Sequence, residues 1–119
     1  MFFFLLVSFI AAGAHAQLAG TKWGLTIHMN DNDVPTICTF SKDTLKVNAE
    51  GDGSLIETMT YTEKDGVLTI IKTEGQSDCG DGPGSYKFEI KDNTMVLTLV
   101  KDDCEGRGGV LDKSKWTKK

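Results

Sequence analysis

The chain has 119 residues, enough for one domain and too few for a multidomain enzyme. Thirteen Lys and Arg stand against seventeen Asp and Glu, a formal net charge of −4. That balance argues against a nucleic-acid groove or a polybasic membrane patch, so neither nucleic acid nor an anionic membrane surface is expected as a partner.

The charge is unevenly spread. Residues 1–16 contain no Asp, Glu, Lys or Arg and hold four of the six Phe. Phe2-Phe3-Phe4-Leu5-Leu6-Val7 and Phe9-Ile10 form an apolar run of signal-peptide length, short for a helix across a bilayer. Ala14-His15-Ala16 fits the small-x-small cleavage pattern and leaves Gln17 as the new N-terminus. No Lys or Arg precedes the run, and no Cys sits at the cleavage point, which argues against a lipoprotein. The expected organisation is a signal peptide over 1–16 and one domain over 17–119. The domain is expected to be secreted or periplasmic, with no stable membrane insertion after cleavage and in a compartment that permits disulfides.

After residue 17 the pattern alternates, and turn residues recur about every ten positions, the spacing of all-β sandwiches and barrels. Eight strands are predicted, over 22–29, 34–40, 44–49, 54–62, 67–73, 85–91, 94–101 and 109–117. Asn30-Asp31-Asn32-Asp33, Ser41-Lys42-Asp43, Gly51-Asp52-Gly53 and Glu63-Lys64-Asp65-Gly66 read as turns. A Gly-rich stretch over 74–84 reads as a longer loop. Short connections imply antiparallel neighbours.

Two hairpins can be given a register. With Asp92-Asn93 as the loop, Ile90 meets Met95, Phe88 meets Leu97 and Tyr86 meets Leu99, placing six large apolar side chains on one face. With Glu63 to Gly66 as a four-residue loop, Tyr61 meets Leu68, Met59 meets Ile70 and Glu57 meets Lys72. Leu55, Met59 and Tyr61 then share a face with Leu68 and Ile70. A two-residue Asp65-Gly66 loop would instead pair Met59 with Lys72.

Three Cys follow the leader. Cys79 and Cys104 flank the 85–101 hairpin and fall almost opposite each other at its open end, so a disulfide is expected. It would close a loop of about 25 residues, worth about 3–4 kcal/mol in the chain-entropy model. Cys38, between Ile37 and Phe40 of a strand, is expected to be a buried thiol, with intermolecular pairing as the alternative.

Reaction chemistry is hard to find. His28 is the only His after the leader. It lies in a strand beside Ile27 and Met29, and no nucleophile-elbow sequence or zinc-ligand spacing accompanies it. The acidic runs around Asn30 and Asp78 do not complete a calcium loop. Gly80-Asp81-Gly82-Pro83-Gly84 lacks the Lys-Ser/Thr and helix of a phosphate loop. No catalytic residue, metal or cofactor is expected.

Gly20-Thr21-Lys22-Trp23 opens the first strand, eight strands follow, and Asp103-Cys104-Glu105-Gly106-Arg107 precedes a last strand ending in Trp116. This combination resembles the lipocalin-like domain of small exported proteins, within the calycin group. The resemblance implies an all-β, eight-stranded antiparallel up-and-down barrel. It also implies that Trp23 and Arg107 close one barrel end, with the cation packed over the indole. The motif is Gly-x-x-Trp, one residue longer than the usual form, and no helical pattern appears beside the last strand.

An eight-stranded barrel can be filled by side chains or can hold one small ligand. The expected function is non-enzymatic binding of a small hydrophobic molecule, lined by Met59, Tyr61, Tyr86, Phe88, Leu97 and Leu99. The same residues would also serve as plain core. The alternative is a protein-interaction or inhibitor module with a filled core, presenting the loop over 74–84.

Overall fold

A computed structural model describes residues 17–29 and 31–119. The signal-peptide reading of 1–16 lies outside the described residues, as does Asn30 of the first turn. Alternation becomes strand along most of the chain: β1 (Lys22–Met29), β2 (Asn32–Phe40), β3 (Thr44–Ala49), β4 (Leu55–Lys64), β5 (Val67–Gly75), β6 (Gly84–Lys91) and β7 (Thr94–Asp102). A short helix, α1 (Glu105–Leu111), then leads to β8 (Lys115–Lys118). Each strand is hydrogen-bonded to its sequence neighbours, and β8 returns to β1, closing an up-and-down antiparallel barrel of eight strands among the described residues. The fold is the all-β barrel expected from the sequence.

Up-and-down order gives the barrel two unlike ends. The base carries the tight β2–β3, β4–β5 and β6–β7 turns and the segment before β1. That segment folds across the opening. Leu18 is fully buried there, its N–H donates to Glu63 Oε1 at 2.6 Å, and its carbonyl accepts from Thr21 Oγ1 at 2.5 Å. Trp23 Nε1 donates to Thr21 Oγ1 at 2.8 Å, so the indole nitrogen is satisfied inside the plug. Phe40 stands edge-on to Tyr61 with ring centroids 5.0 Å apart and lies 6.1 Å from Trp116, filling the base with aromatic side chains. The mouth carries the β1–β2 turn, the β3–β4 and β5–β6 loops, and α1.

The β6–β7 register is the expected one through Tyr86↔Leu99, Phe88↔Leu97 and Ile90↔Met95. The left-handed residue of its turn is Asp92, at φ 57°. Two loops are shorter than expected. Asn32 and Asp33 belong to β2, where Met29 pairs with Asn32 and His28 with Asp33. Glu63 and Lys64 belong to β4, and Asp65-Gly66 alone make the turn, both at positive φ. Tyr61 therefore faces Ile70 and Met59 faces Lys72, two residues away from the expected register. A slip of two preserves the side-chain period, so Met59, Tyr61, Leu68 and Ile70 still point inward and are buried.

Bulges interrupt both ladders of β4 in its mouth half. Val47 faces Glu57 and Asn48 faces Leu55, which leaves Ile56 as an extra residue on β4. Alternation breaks at that point. Ile56 turns inward and is buried, while Leu55, expected on the inner face, is exposed.

The stretch expected as a strand over 109–117 is divided between α1 and β8, correcting both the strand and the absence of a helix. Gly106, Gly108 and Gly109 carry poor helix propensity, which hides the turn of helix from a propensity reading. Packing overrides it. Arg107, Gly108 and Leu111 are the buried residues of α1. Gly108 rests where a Cβ would lie 3.6 Å from Asp102 Cβ and 3.8 Å from Leu99 Cδ2, so the helix sits close against β7.

Candidate functional site

Inward side chains do not fill the barrel to its mouth. A cavity of about 490 Å³ enters from that end. Leu25, Leu45, Met59, Leu68, Leu97 and Trp116 line its depth. Ile27, Ile56, Val110 and the Cys79–Cys104 pair stand nearer the opening. The lining is chiefly apolar with a few polar groups, the usual make-up of a small-molecule pocket, and its volume lies in the range such pockets occupy. A second hollow of about 590 Å³ lies outside the base. Lys42, Asp43, Glu63 and Lys64 wall it, together with Tyr61 and Phe88. Solvated charges there give an apolar ligand little to gain, so the smaller hollow is the candidate site.

The six residues expected as a ligand wall are thus divided. Met59 and Leu97 line the mouth cavity. Tyr61 and Phe88 lie toward the base, where the Tyr61 hydroxyl donates to the Ser41 carbonyl. Tyr86 is fully buried and its hydroxyl donates to Asp102 Oδ2. Leu99 is not part of the lining. It is 37% exposed beside α1, and its backbone N–H donates to Asp112 Oδ1 at 2.9 Å.

Cys79 and Cys104 form the expected disulfide, with Cα atoms 5.4 Å apart. The bond ties the β5–β6 loop to the start of α1 at the cavity rim. Cys38 is a buried free thiol near Thr36 Oγ1, and burial pushes its pKa up to about 12.

Arg107 does not cap Trp23. Lys118 does, its Nζ 5.7 Å from the ring centroid, because β8 pairs Lys118 directly with Trp23. Arg107 belongs to α1 at the opposite end. Its Nε and Nη2 each reach an Asp102 oxygen at 2.8 Å, and Nη2 also donates to the Gly82 carbonyl at 2.9 Å. Both side chains of the pair are almost wholly buried, 7% and 1% exposed. Asp102 also accepts from Tyr86 and, at 2.7 Å, from Cys104 N–H. Burial opposes the charged carboxylate, but these hydrogen bonds and the guanidinium charge outweigh it and hold Asp102 below its ordinary pKa. Burial, then the bond to Asp102, raises the Tyr86 pKa, so the phenol remains a donor. Gly84 permits the cluster: a Cβ there would collide with the Asp102 carboxylate and sit 3.0 Å from Arg107 Nη2.

Alternation also puts Glu57 on the inner face of β4, as it does Leu25 on β1 and Leu45 and Val47 on β3, all cavity-lining positions beyond the six expected. Glu57 shares inward parity with Met59 and Tyr61, is 7% exposed, and lines the cavity. Ser77 Oγ donates to its Oε2 at 2.6 Å and Ser77 N–H to its Oε1 at 3.3 Å. Its strand neighbour is Gly75, at φ 142°, where a Cβ would strike the Glu57 side chain and the Ile56 carbonyl. Trp116, deep in the cavity, was legible only as the end of a strand.

No family model, curated protein or solved structure matches the chain.

Proposed function

We propose that this is an exported, non-enzymatic barrel protein of lipocalin-like type that binds a small hydrophobic molecule in its mouth cavity. The observation that carries the reading is the cavity itself. A barrel of this strand number has room for one small ligand, and here the apolar lining reaches from the rim to Trp116. The apolar leader and the Cys79–Cys104 disulfide support export to an oxidising compartment. Among the described residues no helix is long and apolar enough to cross a membrane.

A titration with the neutral apolar fluorophore N-phenyl-1-naphthylamine tests the reading. Saturable fluorescence enhancement is expected, with energy transfer from Trp116. Val110 lines the rim and is 42% exposed, so Val110→Trp can narrow the entrance without overfilling the core, and it should weaken binding. Absence of saturation in the folded protein would overturn the proposal.

A further inference from the structure

We infer that the cavity selects a cationic amphiphile, an apolar body bearing a protonated amine, with the ammonium group seated on Glu57. The inference rests on the proposed cavity function and names its ligand class. A carboxylate offers about four acceptor positions, and Ser77 occupies two of those on Glu57. Glu57 is held at the wall of an apolar cavity with no cation within ion-pair distance among the described residues. Buried charge of this kind is ordinarily paired.

Among the described residues, Lys72 and Arg107 approach the mouth, and neither is bonded to the Glu57 carboxylate. Lys72 Nζ donates to the Ser77 carbonyl at 2.6 Å, on the loop that caps Glu57 rather than on its carboxylate. Arg107 lines the cavity with its charge matched by Asp102 through two hydrogen bonds, while its buried Nη1 has no hydrogen-bond partner among the described residues. Asp78, exposed on the same rim, adds a second negative charge to the lining, and His28 is bonded to Asp33. An anionic head could accept from Arg107 Nη1, whose charge Asp102 already matches, but would meet the unmatched carboxylates of Glu57 and Asp78. An uncharged hydroxyl head could donate one hydrogen bond to Glu57 but would supply no positive charge. An ammonium group supplies three donors and the missing positive charge.

The test uses three ligands with one chain length: decylamine, decanol and decanoate, each competing with N-phenyl-1-naphthylamine at neutral pH. Decylamine is expected to displace the fluorophore at a concentration at least about tenfold below decanoate, the scale of one charged hydrogen bond, with decanol between them. Glu57→Gln keeps the shape and an acceptor for Ser77. It should bring the amine to within about twofold of decanol, because the charge that favours the amine is lost. Fluorophore binding with equal displacement by all three ligands, or a preference that survives in Glu57→Gln, overturns the inference while leaving the cavity reading intact. Failure of the fluorophore itself to bind overturns both.

Discussion

At the scale of single residues, Asp102 carries the heaviest polar load near the mouth. Its carboxylate accepts from Arg107, Tyr86 and Cys104, so its removal leaves a guanidinium and a phenol buried without their shared partner. Breaking a buried pair from one side costs about 3–5 kcal/mol, so Asp102→Ala should lower the urea midpoint at pH 7 by an equivalent amount. The pH dependence has a definite sign. Asp102 titrates below its unfolded value of about 4, so its contribution is fully present above that value. As the pH falls, the unfolded chain takes up the proton first, and the contribution disappears through the folded pKa. The gap between wild type and Asp102→Ala should therefore narrow in acid. Urea unfolding at a series of pH values measures it, and a gap independent of pH would show that Asp102 acts by packing alone.

At the scale of elements, the pairs joined by tight turns were the most legible. Tyr86, Phe88 and Ile90 met the partners that alternation assigns, because one-residue slips would expose a buried face. The β4–β5 hairpin was legible in face and not in register, since a shift of two residues leaves the pattern unchanged. The Ile56 bulge left no such mark, and α1 was hidden by its three glycines. The site was legible to the same degree. Met59 and Leu97 followed from alternation, whereas Arg107 was assigned to the wrong end because its motif placed it before a strand rather than on a helix. What seats α1 is contact with β7 and the bond from Cys104 to Cys79, which closes a separation of 25 residues. Replacing both cysteines by Ser should cost about 3–4 kcal/mol by freeing the unfolded chain. The thermal midpoint of the double variant checks this, and a midpoint equal to wild type would mean that packing of Arg107 and Leu111 alone holds the helix.

At the scale of the whole molecule, closure is uneven. The β1–β2, β4–β5 and β6–β7 hairpins each pair over eight positions. β5 meets β6 over four, β7 meets β8 over three, and β8 meets β1 over two. The barrel is thus a set of long hairpins sealed by a short last strand, with Trp116 as its buried anchor. Local opening follows the weakest seam, where few ladder bonds and little buried apolar surface must be given up. Amide exchange should accordingly be faster in β8 and along the β5–β6 seam than in the centres of β6 and β7. Trp116 lines the cavity as well as anchoring β8, so a bound ligand adds apolar contact to the strand that opens first. Saturation with N-phenyl-1-naphthylamine should slow exchange in β8 more than in β2 or β3, because a ligand stabilises the closed form only against openings that dissolve its site. Equal protection of β8 and β6–β7 in the free protein would mean that the seam is held by Trp116 packing rather than by its ladder. Ligand protection spread evenly over all eight strands would mean that the barrel opens only as a single unit.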